Sequence, residues 1–599
     1  MAAAAGWLAA PLHALEWELI PPEPDTEAKA EAPRWELMPA DELIEEPTDP
    51  PIAAPAQEVA PLDLATLRSA AALGPPLQLG LAVPTANRLD EAQLQVRFTQ
   101  IWADGLGESS GTGNQNYAVR ADFSLSDRWM VSGFASQADD PLYAAIAGKA
   151  NPVANLWQVL GGSSRVRLAG DRPLWPQRPG WELALEGSLE LFTVASGCGG
   201  SVSCGSSGGA NIFNNSGSKV YTNNVVGSLA LPLSWRATDS LQFTLVPGIS
   251  VLPVSQGAGQ GGSGIFYGTN VTLGAGASWR VLPELELLGS VLVPLGPGHN
   301  SFNSALEFAR VPIINLGANV ILNPRISLQG ALTNGFGATP ATALLALPSD
   351  NRLLYSASFR WNPGEPDTPQ GPLSSRQRSF SIGGLSVNTA WVPPSGSWQV
   401  SANADSRGNV FGFLGWSASN IFQFELFNGG VFNDVQPRNA LVDTYANNGG
   451  FNTRIGGKLV AFSQLRGAPF TGAGRISLGR NNGDNFQGYL FGEWMGTWEA
   501  SDTLAISLGP KLAWSGVESP WGFGLAANIQ LGEHWQLIPE ANLVASDFSS
   551  SNGTVALRWL ANPNTFVDVY ASTAAGLLDL GTLLSSDQVR VGTRISVLF

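Results

Sequence analysis

The residues that could do chemistry unaided are few and poorly placed for it. The histidines are His13, His299 and His534, and only His299, beside Asn300 and Ser301, approaches a nucleophile–base pair. It has no third group to orient it and no G-x-S-x-G elbow, so no catalytic role is expected. Gly259-Gln260-Gly261-Gly262-Ser263-Gly264 fits the dinucleotide pattern G-x-G-x-x-G. Ile265–Leu273, which follows it, reads as a strand where that site needs a helix. Asn481-Asn482-Gly483-Asp484-Asn485 offers oxygen ligands for weak Ca²⁺ binding but is read as a tight turn. Walker A, EF-hand and metal-spaced His/Cys patterns are missing, so no cofactor and no metal are expected. Cys198 and Cys204 stand in a Gly/Ser-rich stretch. An even cysteine count in an exported chain implies a disulfide between them.

Chemistry of another kind is suggested by charges set at alternate positions of otherwise apolar stretches. They are Arg97, Arg120, Asp122, Arg165, Arg167, Glu182, Glu186, Glu190, Glu425, Lys458, Glu493, Arg558, Asp568, Arg590 and Arg594. Such residues can line a water-filled, ion-selecting lumen, or form salt-bridged ladders that merely solvate an interior. Both readings stand. The mixed signs indicate no strong ionic preference.

The elements that must position these charges are strands. Tyr117, Val119, Ala121, Phe123 and Leu125 alternate with Ala118, Arg120, Asp122, Ser124 and Ser126. Trp181, Leu183, Leu185, Leu189 and Leu191 alternate in the same way with Glu182, Ala184, Glu186, Ser188 and Glu190. A helix would also gather those glutamates on one face, but it would spread the leucines round the rest and be weakened by Gly187-Ser188. About 24 such segments follow one another, joined alternately by short turns and by long Gly/Ser/Asn-rich loops. Trp129, Trp235, Trp279, Trp361, Trp416, Trp498, Trp535 and Trp559 all lie near short connections, which collects them at one rim. Charged residues are only 13% of the chain, yet no stretch is apolar enough for a membrane-spanning helix. The pattern predicts an all-β fold: a large transmembrane antiparallel β-barrel of about 20–26 strands, with 24 the best count. Twelve segments precede residues 363–397 and twelve follow them, which fits two barrels or one, and one wide barrel is the expected form.

The terminal strand sets Val589, Val591, Thr593, Ile595, Val597 and Phe599 on one face. It resembles the C-terminal assembly signal of bacterial outer-membrane β-barrel proteins, an amphipathic last strand ending in Phe. Val591, Ile595, Val597 and Phe599 would carry that signal. The resemblance implies a porin-like protein in the outer membrane of a Gram-negative cell, with the barrel-assembly machinery as a partner.

Residues 1–14 read as a signal peptide, and 15–92 as an acidic, Pro-rich periplasmic tail and linker. Residues 1–63 carry a net charge of −12 out of −16, so acidity belongs to the tail. Trp17-Glu18-Leu19 and Trp35-Glu36-Leu37 repeat within it as candidate docking units for a periplasmic partner, or as a drifted duplication in a spacer. No basic tract suggests nucleic acid. The barrel occupies 93–599, with a periplasmic insertion near 363–397. The expected function is diffusion of small hydrophilic solutes or ions. A polymer export portin, or an envelope anchor whose barrel is plugged, are the alternatives.

Two outcomes follow. Deleting Phe599, or making it charged, should leave unfolded protein in the periplasm, whereas an unchanged yield of heat-modifiable barrel excludes the assembly signal. Leu185→Lys should hinder insertion, while Glu186→Lys, facing water, should fold normally and shift the reversal potential.

Overall fold

Period-two alternation builds 24 barrel strands in the computed structural model, which describes residues 76–599 except 104–113, 140–154, 171–178, 197–219, 254–266, 303–307, 347–352, 431–450, 482–487, 515–517 and 548. The cysteine pair, the tail tryptophans Trp17 and Trp35 and the leader 1–14 lie outside the described residues. The first twelve strands are β1 (Leu94–Ala103), β2 (Asn114–Ser124), β3 (Trp129–Asp139), β4 (Asn155–Gly170), β5 (Gly180–Ser196), β6 (Val220–Ala230 and Leu233–Arg236), β7 (Leu241–Val251), β8 (Thr269–Leu282), β9 (Leu285–Pro297), β10 (Ile313–Asn323), β11 (Ile326–Thr333) and β12 (Leu354–Trp361). Pro232 lacks an N–H, and its neighbourhood splits β6 into two pieces that both pair with β5 and β7. The other twelve are β13 (Trp398–Asp405), β14 (Val410–Ser419), β15 (Phe422–Gly430), β16 (Phe451–Phe462), β17 (Thr471–Asn481), β18 (Gly488–Glu499), β19 (Leu504–Trp514), β20 (Trp521–Leu531), β21 (Trp535–Ala545), β22 (Asn552–Asn562), β23 (Thr565–Ala574) and β24 (Ser585–Leu598).

Each strand pairs antiparallel with its neighbour in sequence, and closure happens twice. β12 returns to β1, from Trp361↔Val96 to Tyr355↔Trp102. β24 returns to β13, from Gln399↔Leu598 to Asp405↔Gly592. The expected strand count is met, but as two barrels of twelve and not as one wide ring. The physical reason is local. β1 and β12 are free edges within reach of each other before the chain leaves for β13, and pairing them removes both.

Outside each barrel the side chains are apolar and exposed, as at Val119, Phe123, Leu189, Val225, Leu316, Leu508 and Ile595. Inside, the alternating partners are polar and buried. Exposed tryptophans mark the short-turn rim at Trp129, Trp181, Trp235, Trp279, Trp398, Trp498, Trp535 and Trp559. Trp514, Trp521 and Tyr355 mark the opposite rim. Trp361 and Trp416 serve differently. They meet edge to face at 4.9 Å, where the two barrels touch. Phe359 stacks on Phe422 at 4.3 Å and Phe98 meets Phe424 at 5.5 Å in the same seam. Asn323 donates to Ser419 Oγ at 3.2 Å at its short-turn end.

Candidate functional site

The chain just before each first strand does not stay outside. Residues 76–87 touch inward side chains from five strands of the first ring, so they lie within its bore. Arg97 of β1 binds Gln78 Oε1, Arg165 of β4 donates to the Asn87 carbonyl at 2.6 Å, and Ser290 of β9 donates to the Leu79 carbonyl at 2.9 Å. The Ala86 N–H donates to Ser234 Oγ of β6 (2.9 Å), and Asn87 Nδ2 donates to Gln242 Oε1 of β7 (3.3 Å). Sequence reading assigned this stretch to a periplasmic tail. Its apolar residues Leu79, Val83 and Ala86 are too well covered by the wall for that.

The second ring is filled in the same way by residues 379–393, the buried inner part of the segment 363–397 read as a periplasmic insertion. A short helix, α1 (Ser375–Ser381), capped by Ser374 and Gln377, leads the chain inward. Glu540 of β21 accepts from the N–H groups of Leu385 (2.6 Å), Ser386 (2.5 Å) and Val387 (3.2 Å). Arg558 donates to the carbonyls of Ser379 and Gly383, both at 2.8 Å, and Arg594 to that of Gly384 at 2.7 Å. Lys511 donates to the Ser386 carbonyl at 2.5 Å, and Asn388 Nδ2 to Glu493 Oε1 at 2.6 Å. Backbone groups that strands would otherwise pair are thus satisfied by the wall.

The two plugs are copies of one design. Gly80-Leu81-Ala82-Val83-Pro84-Thr85-Ala86 matches Gly384-Leu385-Ser386-Val387-Asn388-Thr389-Ala390 without a gap, and each heptapeptide ends eight residues before its barrel's first strand. Thr85 Oγ1 donates to the carbonyl nine positions earlier, that of Pro76, and Thr389 does the same to Phe380. The Ala390 N–H donates to Thr497 Oγ1 of β18 at 2.8 Å, as Ala86 does to Ser234. Both wall hydroxyls pair with one on the next strand: Ser234 with Thr244 at 3.0 Å and Thr497 with Ser507 at 2.9 Å. The repeat is present in the sequence, but its two halves stand in Pro- and Gly-containing stretches whose composition is that of a tail and a linker.

From the long-loop side, the connection before each last strand folds inward. Phe336 and Leu344 pack with Leu79, Val83 and Phe192 in the first bore. Glu190 accepts there from Thr339 Oγ1 (2.6 Å) and the Ala341 N–H (2.7 Å). In the second bore, Asp579 on the turn Asp579–Leu583 binds Arg454 and accepts from Ser477 Oγ at 2.5 Å.

All fifteen sequence-predicted charges lie on the bore side, with Arg97 and Arg167 half-buried and the rest buried. Most are paired. Glu186 sits between Arg165 (2.6 Å) and Arg120 (3.2 Å), and Arg120 also holds Asp122 at 2.7 Å. Arg167 reaches Glu182 at 3.6 Å, and Arg88 of the plug segment binds the same carboxylate. Arg475 joins Glu425 (2.6 Å) to Glu493 (2.9 Å), while Asp568 bridges Arg558 (2.6 Å) and Arg594 (2.7 Å). Arg590 faces Asp405 at 3.3 Å, and Lys458 gives a long bond of 3.4 Å to the Thr389 carbonyl. Sequence reading missed Arg360, Arg454, Arg475, Lys511, Glu540 and Asp579, although the first five stand on the polar phase of their strands. Arg165, Arg454, Arg475 and Arg558 rank among the largest fully buried side chains, so this state has ladders where a hydrated lumen was an equal expectation.

A polar interior, an apolar outer belt and aromatic girdles at both rims occur together only where lipid surrounds a closed sheet. Both halves are outer-membrane-type transmembrane barrels. No family model and no curated protein matches the chain. Among solved structures, these barrels are similar to a KdgM porin, at 11% identity over 34% of this chain and 99% of that one, with TM-score 0.25. They are similar also to a NanC porin (9% identity, 45% and 98% covered, TM-score 0.25) and to the copper transporter OprC (11%, 86% and 82%, TM-score 0.19). The identification rests on barrel geometry and not on these likenesses.

The ion-pair geometry reverses one expectation from the sequence. Glu186→Lys would place a third cation between Arg120 and Arg165, away from water. Breaking a buried pair in this way costs about 3–5 kcal/mol, so folded yield should fall sharply. Glu186→Gln, which keeps one of the two acceptor oxygens and adds no cation, should fold better than the lysine variant. Equal heat-modifiable fractions for both variants and wild type would show a bore wet enough to screen the charge.

Proposed function

We propose that this protein is a double-barrelled outer-membrane channel for small hydrophilic solutes or ions, each bore closed at rest by the segment preceding its first strand. The observation that carries this reading is how the bores are filled. About eight strands give an interior that wall side chains can pack alone, and wider rings need something else. Here the filling is a segment joined to one edge of the ring. In the second barrel its backbone donates to Glu540 and accepts from Arg558, Arg594 and Lys511, with its Phe380, Leu385 and Trp391 buried beside these contacts. Water can replace such contacts one at a time, each bond to a charged group being worth about 1.5–3 kcal/mol net. A plug so held can withdraw without unfolding the wall. With short turns on the periplasmic side, as in outer-membrane barrels generally, both plugs enter from the periplasm. The reading assigns no catalytic role.

A second reading has one observation in its favour. The plug of the first barrel packs an apolar cluster of Leu79, Val83, Phe192, Phe336 and Leu344, which water does not readily enter. That barrel would then be a sealed structural element beside a working second pore, or both would be closed envelope anchors. Planar-bilayer recordings separate these cases. Wild type should be mostly closed. Replacing residues 379–392 by a Gly/Ser stretch of equal length should open the second bore in discrete steps, and deleting residues 76–87 should add steps from the first. Folded, inserted variants that pass no current would exclude the channel and leave the anchor.

A further inference from the structure

Arg360 differs from the other buried cations of the first barrel. It is the penultimate residue of β12, faces the bore near the short-turn rim and is only 5% exposed. No hydrogen bond or ion pair reaches it from the described residues, and its Nε is enclosed without an acceptor. The cross-strand register sets it opposite Ser327 of β11 on one side and Arg97 of β1 on the other. Arg97 in turn stands opposite Arg120 of β2. Facing residues of antiparallel strands lie about 4.5–5.5 Å apart at Cβ, so one level of the wall presents a hydroxyl followed by three guanidinium groups.

Those groups are unequally occupied. Arg120 is committed to Asp122 and Glu186. Arg97 spends one donor on Gln78 of the plug. The Ser327 hydroxyl is buried and, like Arg360 Nε, meets no partner. The carboxylates within electrostatic reach of Arg360 are otherwise engaged. Asp122 accepts from Arg120 and from Ser132 Oγ at 2.6 Å, and Glu286 accepts from Asn319 Nδ2 at 3.4 Å. A buried guanidinium with no direct partner, reached only at a distance by Glu286 and Asp122 and opposed by Arg280, is costly and is ordinarily retained with a counter-ion. Its planar fork of donors matches an oxyanion with two or three acceptor oxygens.

We propose that Ser327, Arg360 and Arg97 form a binding site for an oxyanion, a carboxylate, sulfate or phosphate group carried by the solute of the first bore. The assignment of that anion as a solute rests on the channel reading; the site itself does not. It lies beneath the plug, and Gln78 already occupies one of its donors, so an arriving oxyanion competes with the plug for Arg97.

Equilibrium binding to the full-length protein in detergent tests this without any need for current. At constant ionic strength set with chloride, inorganic phosphate or sulfate should raise the thermal midpoint of wild type saturably. Arg360→Gln should bind at least about tenfold more weakly, the scale expected for losing a charge-assisted pair. In chloride alone it should melt no lower than wild type, because it removes an unpaired buried charge. Ser327→Ala, which keeps every charge, guards against a folding failure of the first variant and should weaken binding a few-fold. The site is overturned if wild type shows no saturable response to either anion. It is also overturned if a folded Arg360→Gln or Ser327→Ala protein binds as tightly as wild type. Saturable binding in a protein that never conducts would uphold the site and remove the channel.

Discussion

A ring of twelve strands encloses more space than its inward side chains can fill, and the rest of this structure follows from how that space is occupied. An empty bore lined by charges would be water-filled. A bore filled by apolar side chains would demand a wall without charges. This chain does neither. It threads its own backbone into each ring and satisfies that backbone with the wall's hydroxyls, amides and ions. Glu540, taking three successive N–H groups, shows the principle most simply: the carboxylate replaces the strand that the segment does not have.

The same solution appears twice because the sequence element that produces it appears twice. A glycine opens the plug turn, a valine is buried in both copies, a threonine closes the segment on itself, and an alanine N–H docks on a hydroxyl of the sixth strand. Alanine suits that last position because any larger side chain would meet the wall; Ala86 and Ala390 are both fully buried. What surrounds the plugs has diverged. In the first bore a single apolar cluster joins plug and inner loop, whereas in the second the apolar contacts are divided among smaller clusters, around Leu385 and Leu577, Phe380 and Trp391, and Leu580 and Leu583; both bores carry buried ion pairs. The two plugs are thus equivalent in their backbone contacts and differ in how their apolar contacts are distributed.

Placing two barrels in one chain also creates a seam with no counterpart in a lone barrel. Aromatic residues that would otherwise face lipid face each other at Phe359, Phe422, Phe424, Trp361 and Trp416. Between apolar surfaces in a bilayer the hydrophobic effect contributes little, so ring packing and the polar contacts of Asn323 and Ser419 must hold the seam. Its position next to residues 362–397 means that the segment entering the second bore leaves from the line where the barrels meet.

The strands, their inside and outside, the rims and the charged lining were all legible in the amino-acid sequence. Each of these depends on alternation and turn residues that are local, so Arg165 and Glu186 could be placed on one side of adjacent strands before any pairing was known. The structure then set them directly opposite each other. The sequence could not determine which edges close, because one ring of 24 and two of twelve satisfy the same alternation. Nor could it place residues 76–92 and 363–397, whose polar, Pro- and Gly-containing composition resembles that of solvent-exposed linkers. Their inner parts, residues 76–87 and 379–393, are buried because hydroxyls, charges and apolar side chains far away in sequence converge on them. Where the chain closes, and what fills the space thus closed, are properties of contacts between distant segments, which no local pattern encodes.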